Sequence, residues 1–362
     1  MPSDLNMNLK FCLGSNEDLE KYRCGGFHPV SLADKFKNGR YVVVHKLGYG
    51  GFSTVWLARD TEQQRYVALK IITAQSTKGL RELAVQRYLF RSPATKIGIS
   101  KILDRFLFRG PNGRHICLVF DVHGPSLSIL SDRLYKLRPD IGRALSHQVA
   151  TSLAHMHEQD VAFGDLSIHN ILLGLEDLND WTLEQIYAGL GEPVPEEVTA
   201  NDFESAASIF EHAPQVTYSP IEWHSTDLSL FTPIALLTDL NEAVYVGRSA
   251  ELKDESAEYG AVNYDYMAPE YAFGIHCQHS KASDVWALGC IFHELRTSES
   301  LFGNSTKSIH TAMQELLGEL PGEWKSSVSS LPGFGEVVIH SGDRIQQHTI
   351  EEKLDEVGNW LP

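Results

Sequence analysis

The chain has 362 residues, 43% hydrophobic and 22% charged, and a net charge of −16. That composition suits one large globular domain or two modest ones, and the negative balance argues against nucleic-acid binding through a general basic surface. No run of 18 or more apolar residues occurs, so no membrane span is expected. The opening "MPSDLNMNLKFCLG" has no charged-then-apolar signal pattern, so no secretion is expected. Cys12, Cys24, Cys117, Cys277 and Cys290 are scattered and form no Cys-x-x-Cys pair. They read as packing residues in a reducing compartment, not as a disulfide framework or a zinc site. Arg143 is followed by no Lys or Arg until Arg248. Such a stretch is either a solubilising surface or a field that attracts a basic substrate.

In chain order, residues 1–40 are polar and irregular, an N-terminal extension. "YVVVHKL", "TVWLARD" and "RYVALKII" then read as strands, β-branched and aromatic runs broken by Gly or polar turns. "TKGLRELAVQRYLF" reads as a helix with Leu80, Leu83, Ala84 and Tyr88 on one face. "ISKILDRFLFRG" and "RHICLVFDV" resume strands around the turn Gly110-Pro111-Asn112-Gly113. "RPDIGRALSHQVATSLAHMHEQ" is helical, with Ile141, Leu145, Val149 and Leu153 on one stripe. The expected organisation is a strand-rich lobe over 41–122 and a helical lobe over 123–362. The helical lobe carries an acidic insert at about 175–231 and a shortened C-terminus. A cleft between unlike lobes is a common ligand site. Trp181 and Trp223 read as anchors of the insert, and His155 and His157 as ordinary helix residues, since i, i+2 positions do not face one ligand.

Four short patterns bear on chemistry. Gly48-Tyr49-Gly50-Gly51-Phe52-Ser53-Thr54-Val55 lies between two strands. It is either a plain hairpin turn or a loop whose backbone N–H groups approach phosphates closely. A strand follows it, where a dinucleotide-binding loop would open a helix. Lys70 in "VALK" stands 15 residues beyond Val55; alone it is a solvated strand end, but in this order it is placed to hold the α- and β-phosphates. Glu82 is either a surface helix residue or the partner that aims the Lys70 ammonium. In "FGDLSIHN", Asp165 would accept the proton of a substrate hydroxyl and Asn170 would ligate magnesium. Asp239 in "LLTDLNEA" would bridge metal to the β- and γ-phosphates. Asp and Asn supply the hard oxygens such a cation needs.

The chain resembles a eukaryotic protein kinase. "YMAPEYAFG" carries the Ala268-Pro269-Glu270 marker, and "ASDVWALGCIFHEL" carries Asp284 and Trp286, which resemble the buried helix anchoring the catalytic loop. Within kinases it resembles the SR-protein kinase group, on "YRCGGFHPVSLADKFKNGRYVVVHKLGYGGFSTVWLARD", "HICLVFDVHGPSL" and "AMQELLGELP". The resemblance covers about residues 18–320. It implies an α+β, bilobal protein-kinase fold: an antiparallel β-rich N-lobe with one main helix, and a helical C-lobe. It also implies ATP and Mg2+ as cofactors. Leu47, Gly48, Gly50, Gly51, Ser53, Val55, Ala68 and Lys70 would contact the nucleotide. Phe120 would be the gatekeeper, with Asp121 and Val122 in the hinge that bonds adenine. The implied substrates are Ser residues in basic Arg/Ser-rich splicing proteins. The implied context is a monomer shared between cytoplasm and nucleus, with no direct nucleic-acid or membrane partner.

Several positions depart from the family pattern. Phe163 stands where the catalytic-loop His is usual, and Gly164 replaces the Arg or Thr before the Asp, which points to constitutive activity without a phosphate switch. Ile168-His169 replace Pro-Glu, and Ser167 replaces the Lys that neutralises the γ-phosphate. Losing one such charge-stabilising donor costs about 10²–10³ in rate. Asn241 stands where the metal-binding triplet has Gly, and Asn tolerates a left-handed backbone better than most residues. No Arg partner for Glu270 is evident, Arg344 being a poor candidate. Two alternatives follow: a pseudokinase that works as a binding or scaffold module, and a small-molecule phosphotransferase, since "GDLSIHN" resembles the loop of aminoglycoside and choline kinases. Against the latter stand Ala268-Pro269-Glu270 and Asp284-Val285-Trp286, which those enzymes lack.

Overall fold

The β-branched runs of the first third pair into one antiparallel sheet in the computed structural model. The model describes residues 17–76, 78–91, 98–131, 137–198, 211–246, 263–275, 278–302, 309–318, 321, 322 and 324. The strands are β1 (Lys35–Phe36), β2 (Tyr41–Tyr49), β3 (Ser53–Asp60), β4 (Arg65–Ile72), β5 (Ile102–Gly110), β6 (Gly113–Phe120), β7 (Val161–Ala162), β8 (Ile171–Leu175), β9 (Pro195–Glu197), β10 (Val216–Tyr218), β11 (Phe231–Leu237) and β12 (Val244–Tyr245). The helices are α1 (Lys78–Leu89), α2 (Pro139–Glu158), α3 (Leu183–Leu190), α4 (Pro269–Ala272), α5 (Lys281–Thr297) and α6 (Ile309–Leu317). Two units divide the chain. One holds Met1–Arg91, Ile99–Pro125 and Leu173–Thr232; the other holds Ser92–Gly98, Ser126–Leu172 and Pro233–Pro362.

In the strand-rich unit the sheet order is β1-β2-β3-β4-β6-β5. The turn between β5 and β6 lies where Gly110-Pro111-Asn112-Gly113 places it, with Gly110 opposite Gly113. One face buries Tyr41, Val43, Trp56, Val67, Leu69, Ile71, Cys117 and Val119. Two expectations fail in this unit. The apolar face read for α1 is wrong: Leu80 is 55% exposed and Ala84 is exposed, while Glu82, Leu83, Val85, Gln86 and Leu89 are buried. The helix turns its polar Glu82 and Gln86 inward because both have partners there, Lys70 for Glu82 and the Ser100 carbonyl for Gln86.

The acidic insert, expected in the helical lobe, belongs with the strand-rich unit. Leu178, Ile186, Leu190 and Ile221 join Val44, Leu57 and Tyr66 in one buried cluster, with Trp181 and Trp223 packed against it. Both tryptophans are thus anchors, as read. The cluster is pinned by hydrogen bonds: Arg59 Nη1 donates to the Asn179 carbonyl at 2.8 Å, and the Tyr66 N–H donates to Asn179 Oδ1 at 2.8 Å. α3 starts on a capping box between Thr182 and Gln185.

The helix-rich unit is built on α2 and α5, which pack together. α2 opens with Pro139 in its first turn and buries Leu145, Val149, Leu153 and Met156 at helical spacing. Ile141, read onto that stripe, is only partly buried. α5 opens on a Ser280/Ser283 capping box and ends at Ser298 in a left-handed conformation. Of the cysteines, Cys117 and Cys290 are buried packing residues but Cys24 is exposed. Arg344 and the terminal "LDEVGNWLP" lie outside the described residues.

Candidate active site

The nucleotide-side residues all stand in the strand-rich unit. Gly48 lies near the end of β2, opposite Val55, Gly50 and Gly51 lie in the β2–β3 connection, and the turn closes by Gly50 N–H to the Ser53 carbonyl at 2.8 Å. A Cβ at Gly48, Gly50 or Gly51 would meet nothing within 4 Å. None of the three has positive φ. Neither backbone strain nor crowding explains these glycines, and their open face is one a phosphate chain can approach. Beneath the loop, Ala68 and Phe120 sit in an apolar cluster with Ile72, Ile116 and Leu118, and Leu47 and Val55 pack against it. Register puts Ala68 opposite Phe120 and Lys70 opposite Val55. A flat apolar base fits such a surface. Asp121 and Val122 follow Phe120 directly; Asp121 Oδ1 lies 3.6 Å from Arg65 Nη1, and Val122 packs toward the insert cluster.

Lys70 is 7% exposed and Glu82 0% exposed, and Lys70 Nζ lies 2.8 Å from Glu82 Oε2. A fully buried Glu is tolerated because it is paired. The reading of Glu82 as a surface residue therefore fails, and the ammonium is fixed in place.

The residues read as a catalytic loop stand in the helix-rich unit. Asp165 follows β7, and Asn170 ends a 3₁₀ turn, Ile168–Asn170. Asn170 Nδ2 donates to both the Asp165 carbonyl at 2.8 Å and Asp165 Oδ2 at 3.0 Å. The Asp165 carboxyl is raised from 3.8 to about 6, chiefly by burial, with Asp239 and Glu242 adding repulsion against the Asn170 hydrogen bond. Asp239 adopts a left-handed conformation (φ 61°, ψ 62°), and Asn241 Nδ2 donates to Asp239 Oδ1. Here the expectation for Asn241 needs correction. Asn241 lies within the 3₁₀ turn Leu240–Glu242 and has no positive φ. The left-handed residue is Asp239, and Asn241 serves through its side chain.

Behind this loop stands Asp284, 1% exposed on α5. Its Oδ2 accepts the Phe163 N–H at 2.7 Å, its Oδ1 accepts the Gly164 N–H at 2.9 Å, and His157 Nε2 lies 2.8 Å from Oδ2. His157 is thus no ordinary helix residue. Only the register of α2 against α5 brings it there, and no local sequence signal marks it. Gly164 has φ +88°, and a Cβ there would stand 2.3 Å from the Glu242 carbonyl oxygen. Ser167 is 2% exposed and extended, and offers no cation in place of the missing Lys. Among the described residues no basic group pairs with Glu270.

Residues 41–202 and 241–332 match the model of the protein kinase domain. The chain belongs to the protein kinase family. It is 30% identical over 329 residues to "Serine/threonine-protein kinase SRPK" of Physarum polycephalum, across 84% of this chain and 73% of that protein. It is 34% identical over 169 residues to "Protein kinase dsk1" of Schizosaccharomyces pombe, across 44% of this chain and 31% of that protein. It is 35% identical over 182 residues to "SRSF protein kinase 3" of Homo sapiens, across 47% of this chain and 32% of that protein. The matches thus span about a third of the latter two. The protein is an SRPK-like serine/threonine kinase with the two-part kinase fold. A kinase domain implies ATP and a metal ion, and the residues present fit both. The bare glycine face and the apolar cluster suit a nucleotide. The Asp239 carboxylate and the Asn170 amide oxygen, whose nitrogen is turned to Asp165, are hard donors for a divalent cation.

The raised Asp165 carboxyl sets a pH dependence for this kinase. With Asp165 in the proton-accepting role the sequence reading gives it, only its carboxylate form serves, and kcat/KM is expected to fall as pH drops through about 6. Because the folded chain binds this proton more tightly than the unfolded chain, the same group costs the fold stability as pH rises from 3.8 through about 6. A pH–rate profile of the free chain, acid limb included, checks the first statement. A limb centred near 3.8 would refute it.

Proposed function

We propose that the chain transfers the γ-phosphoryl group of magnesium-bound ATP to serine hydroxyls in Arg/Ser-rich proteins. The observation that carries this reading is the retained constellation. Lys70 is buried and aimed by Glu82, while Asp165 is held by Asn170 beside a left-handed Asp239. A pure scaffold has no need to bury a lysine–glutamate pair at 2.8 Å. The bound metal nucleotide supplies the transferable group and neutralises its charge. Lys70 holds the phosphate end, Asn170 orients Asp165, and the Asp165 carboxylate takes the proton from the serine hydroxyl. The net charge of −16 suits a basic substrate, and the SRSF-named relative supports splicing-factor-like targets.

The test is transfer from labelled ATP with magnesium to an Arg/Ser-repeat peptide, beside an Arg/Ala-repeat control. Label on serine of the first peptide alone is the expected result. A second reading, a nucleotide-holding binding module, draws on Ser167, which leaves the loop without its cation. Nucleotide binding without transfer to any Ser peptide would favour it.

A further inference from the structure

The Cys-Gly-Gly-Phe-His stretch and the residues before it have no part in the chemistry above, yet they grip the frame of the Gly48–Ser53 loop. Glu17 is 1% exposed and Lys46 is 0% exposed, and the Lys46 ammonium is paired with Glu17 Oε2. Tyr22 donates its hydroxyl to Glu17 Oε1 at 2.5 Å. Lys46 Nζ also stands 5.5 Å from the Tyr49 ring centroid and 5.6 Å from that of Trp56. Lys46 is therefore the last charged residue before the loop, and its head is locked by the N-terminal segment.

The lock sits at a mechanical weak point. Between Lys46 and Gly48 the β2–β3 register shifts, leaving Leu47 as an extra residue. The Lys46 carbonyl is taken instead by the Ile221 N–H of the insert at 3.1 Å. A bulge this close to a binding loop re-aims the chain beyond it unless both sides are held.

The other side of the loop is held by the same segment. The Phe52 carbonyl accepts the Thr73 N–H at 2.9 Å, and the next two residues donate to the diglycine: Ala74 N–H to the Gly26 carbonyl at 3.1 Å and Gln75 N–H to the Gly25 carbonyl at 2.8 Å. Lys21 Nζ reaches the Gly51 carbonyl at 3.4 Å. The two glycines are required for this path. Gly25 has φ +84°, and a Cβ on Gly26 would stand 1.8 Å from the Lys21 carbonyl oxygen. Phe27 and Tyr22 seal the segment in a buried cluster with Leu19, Val198 and Ala213.

We propose that Glu17 is a positioning residue for nucleotide binding, acting through Lys46 to fix the root of the phosphate loop, with Gly25-Gly26 fixing its far side. The inference rests on the reading of Gly48–Ser53 as a phosphate loop. A loosened loop weakens nucleotide grip before it alters the chemistry at Asp165.

The experiment titrates the full chain with magnesium and a non-hydrolysable ATP analogue, for the unmodified chain, Glu17→Gln, Glu17→Asp and Lys21→Met. In Glu17→Gln, Kd for the analogue is expected to rise about tenfold, and KM for ATP with it, while kcat at saturating ATP falls less than about threefold. Glu17→Asp, which keeps the charge, is expected to recover most of the affinity. Lys21→Met changes a partly exposed side chain and so leaves the chain folded; it is expected to weaken binding about threefold. A folded Glu17→Gln with unaltered Kd overturns the proposal. So does a drop in kcat without a rise in KM. If Glu17→Gln does not fold, unaltered binding in Lys21→Met overturns it instead. An unmodified chain that binds no nucleotide overturns the phosphate-loop reading itself, a failure distinct from that of the variants alone.

Discussion

Replacing Asp284 by Ala is expected to destabilise the helix-rich unit by about 3–5 kcal/mol. Both carboxylate oxygens are engaged, by the Phe163 N–H, the Gly164 N–H and His157. The residue is 1% exposed, so its partners face the interior and not bulk solvent. Two backbone donors and one imidazole would be left in the interior, and unsatisfied buried donors cost more than the bond itself gains. Urea denaturation measures the loss as a fall in midpoint. His157→Ala should cost less, because it removes one partner and leaves both backbone bonds to Asp284 in place. Equal losses would mean that the α2–α5 contact, not the carboxylate, holds the loop.

Replacing Asp165 by Asn is expected to lower kcat for peptide phosphorylation by about 10²–10⁴-fold, with nucleotide affinity little changed. The exchange removes the proton acceptor while keeping a side chain of the same shape opposite Asn170. Loss of the carboxylate also removes the burial cost that chiefly raises it to about 6, and with it the smaller repulsion from Asp239 and Glu242. The variant should therefore be at least as stable as the parent near neutral pH, since an ionised, half-buried group has become neutral. Steady-state kinetics paired with thermal melting separates the two effects. A variant that loses activity only in proportion to a lost fold would refute the acid–base role.

Much of this was legible in the text of the chain, for a physical reason. Strand runs such as "RYVALKII" are paired along their length with a neighbour and buried from Tyr66 to Ile72, so their composition records their surroundings directly. The Lys70–Glu82 pair and the Asn170–Asp165 hydrogen bonds join residues that the sequence reading singles out, because the roles proposed for them need fixed residue types in a fixed order. What was missed depends on long-range packing. The buried face of α1 could not be read from apolar spacing, because a charged residue, Glu82, faces inward to meet Lys70. The side to which the insert belongs is decided by Val44, Leu57 and Tyr66, more than a hundred residues earlier in the chain. His157 gains its role from α5, and the strained residue of the "DLN" triplet proved to be Asp239, not Asn241. The polar look of residues 17–40 concealed a segment whose Tyr22, Phe27 and Val30 are 2%, 1% and 2% exposed.

The tight fit at Gly164 bears on how this kinase can change. Any side chain at 164 must first displace the backbone of Glu242, whose carbonyl oxygen stands 2.3 Å from where a Cβ would go. That backbone lies three residues past Asp239. An arginine cannot be introduced there without moving the backbone of Glu242. A side chain at 164, arginine included, thus requires a coordinated rebuilding of 164 and 242.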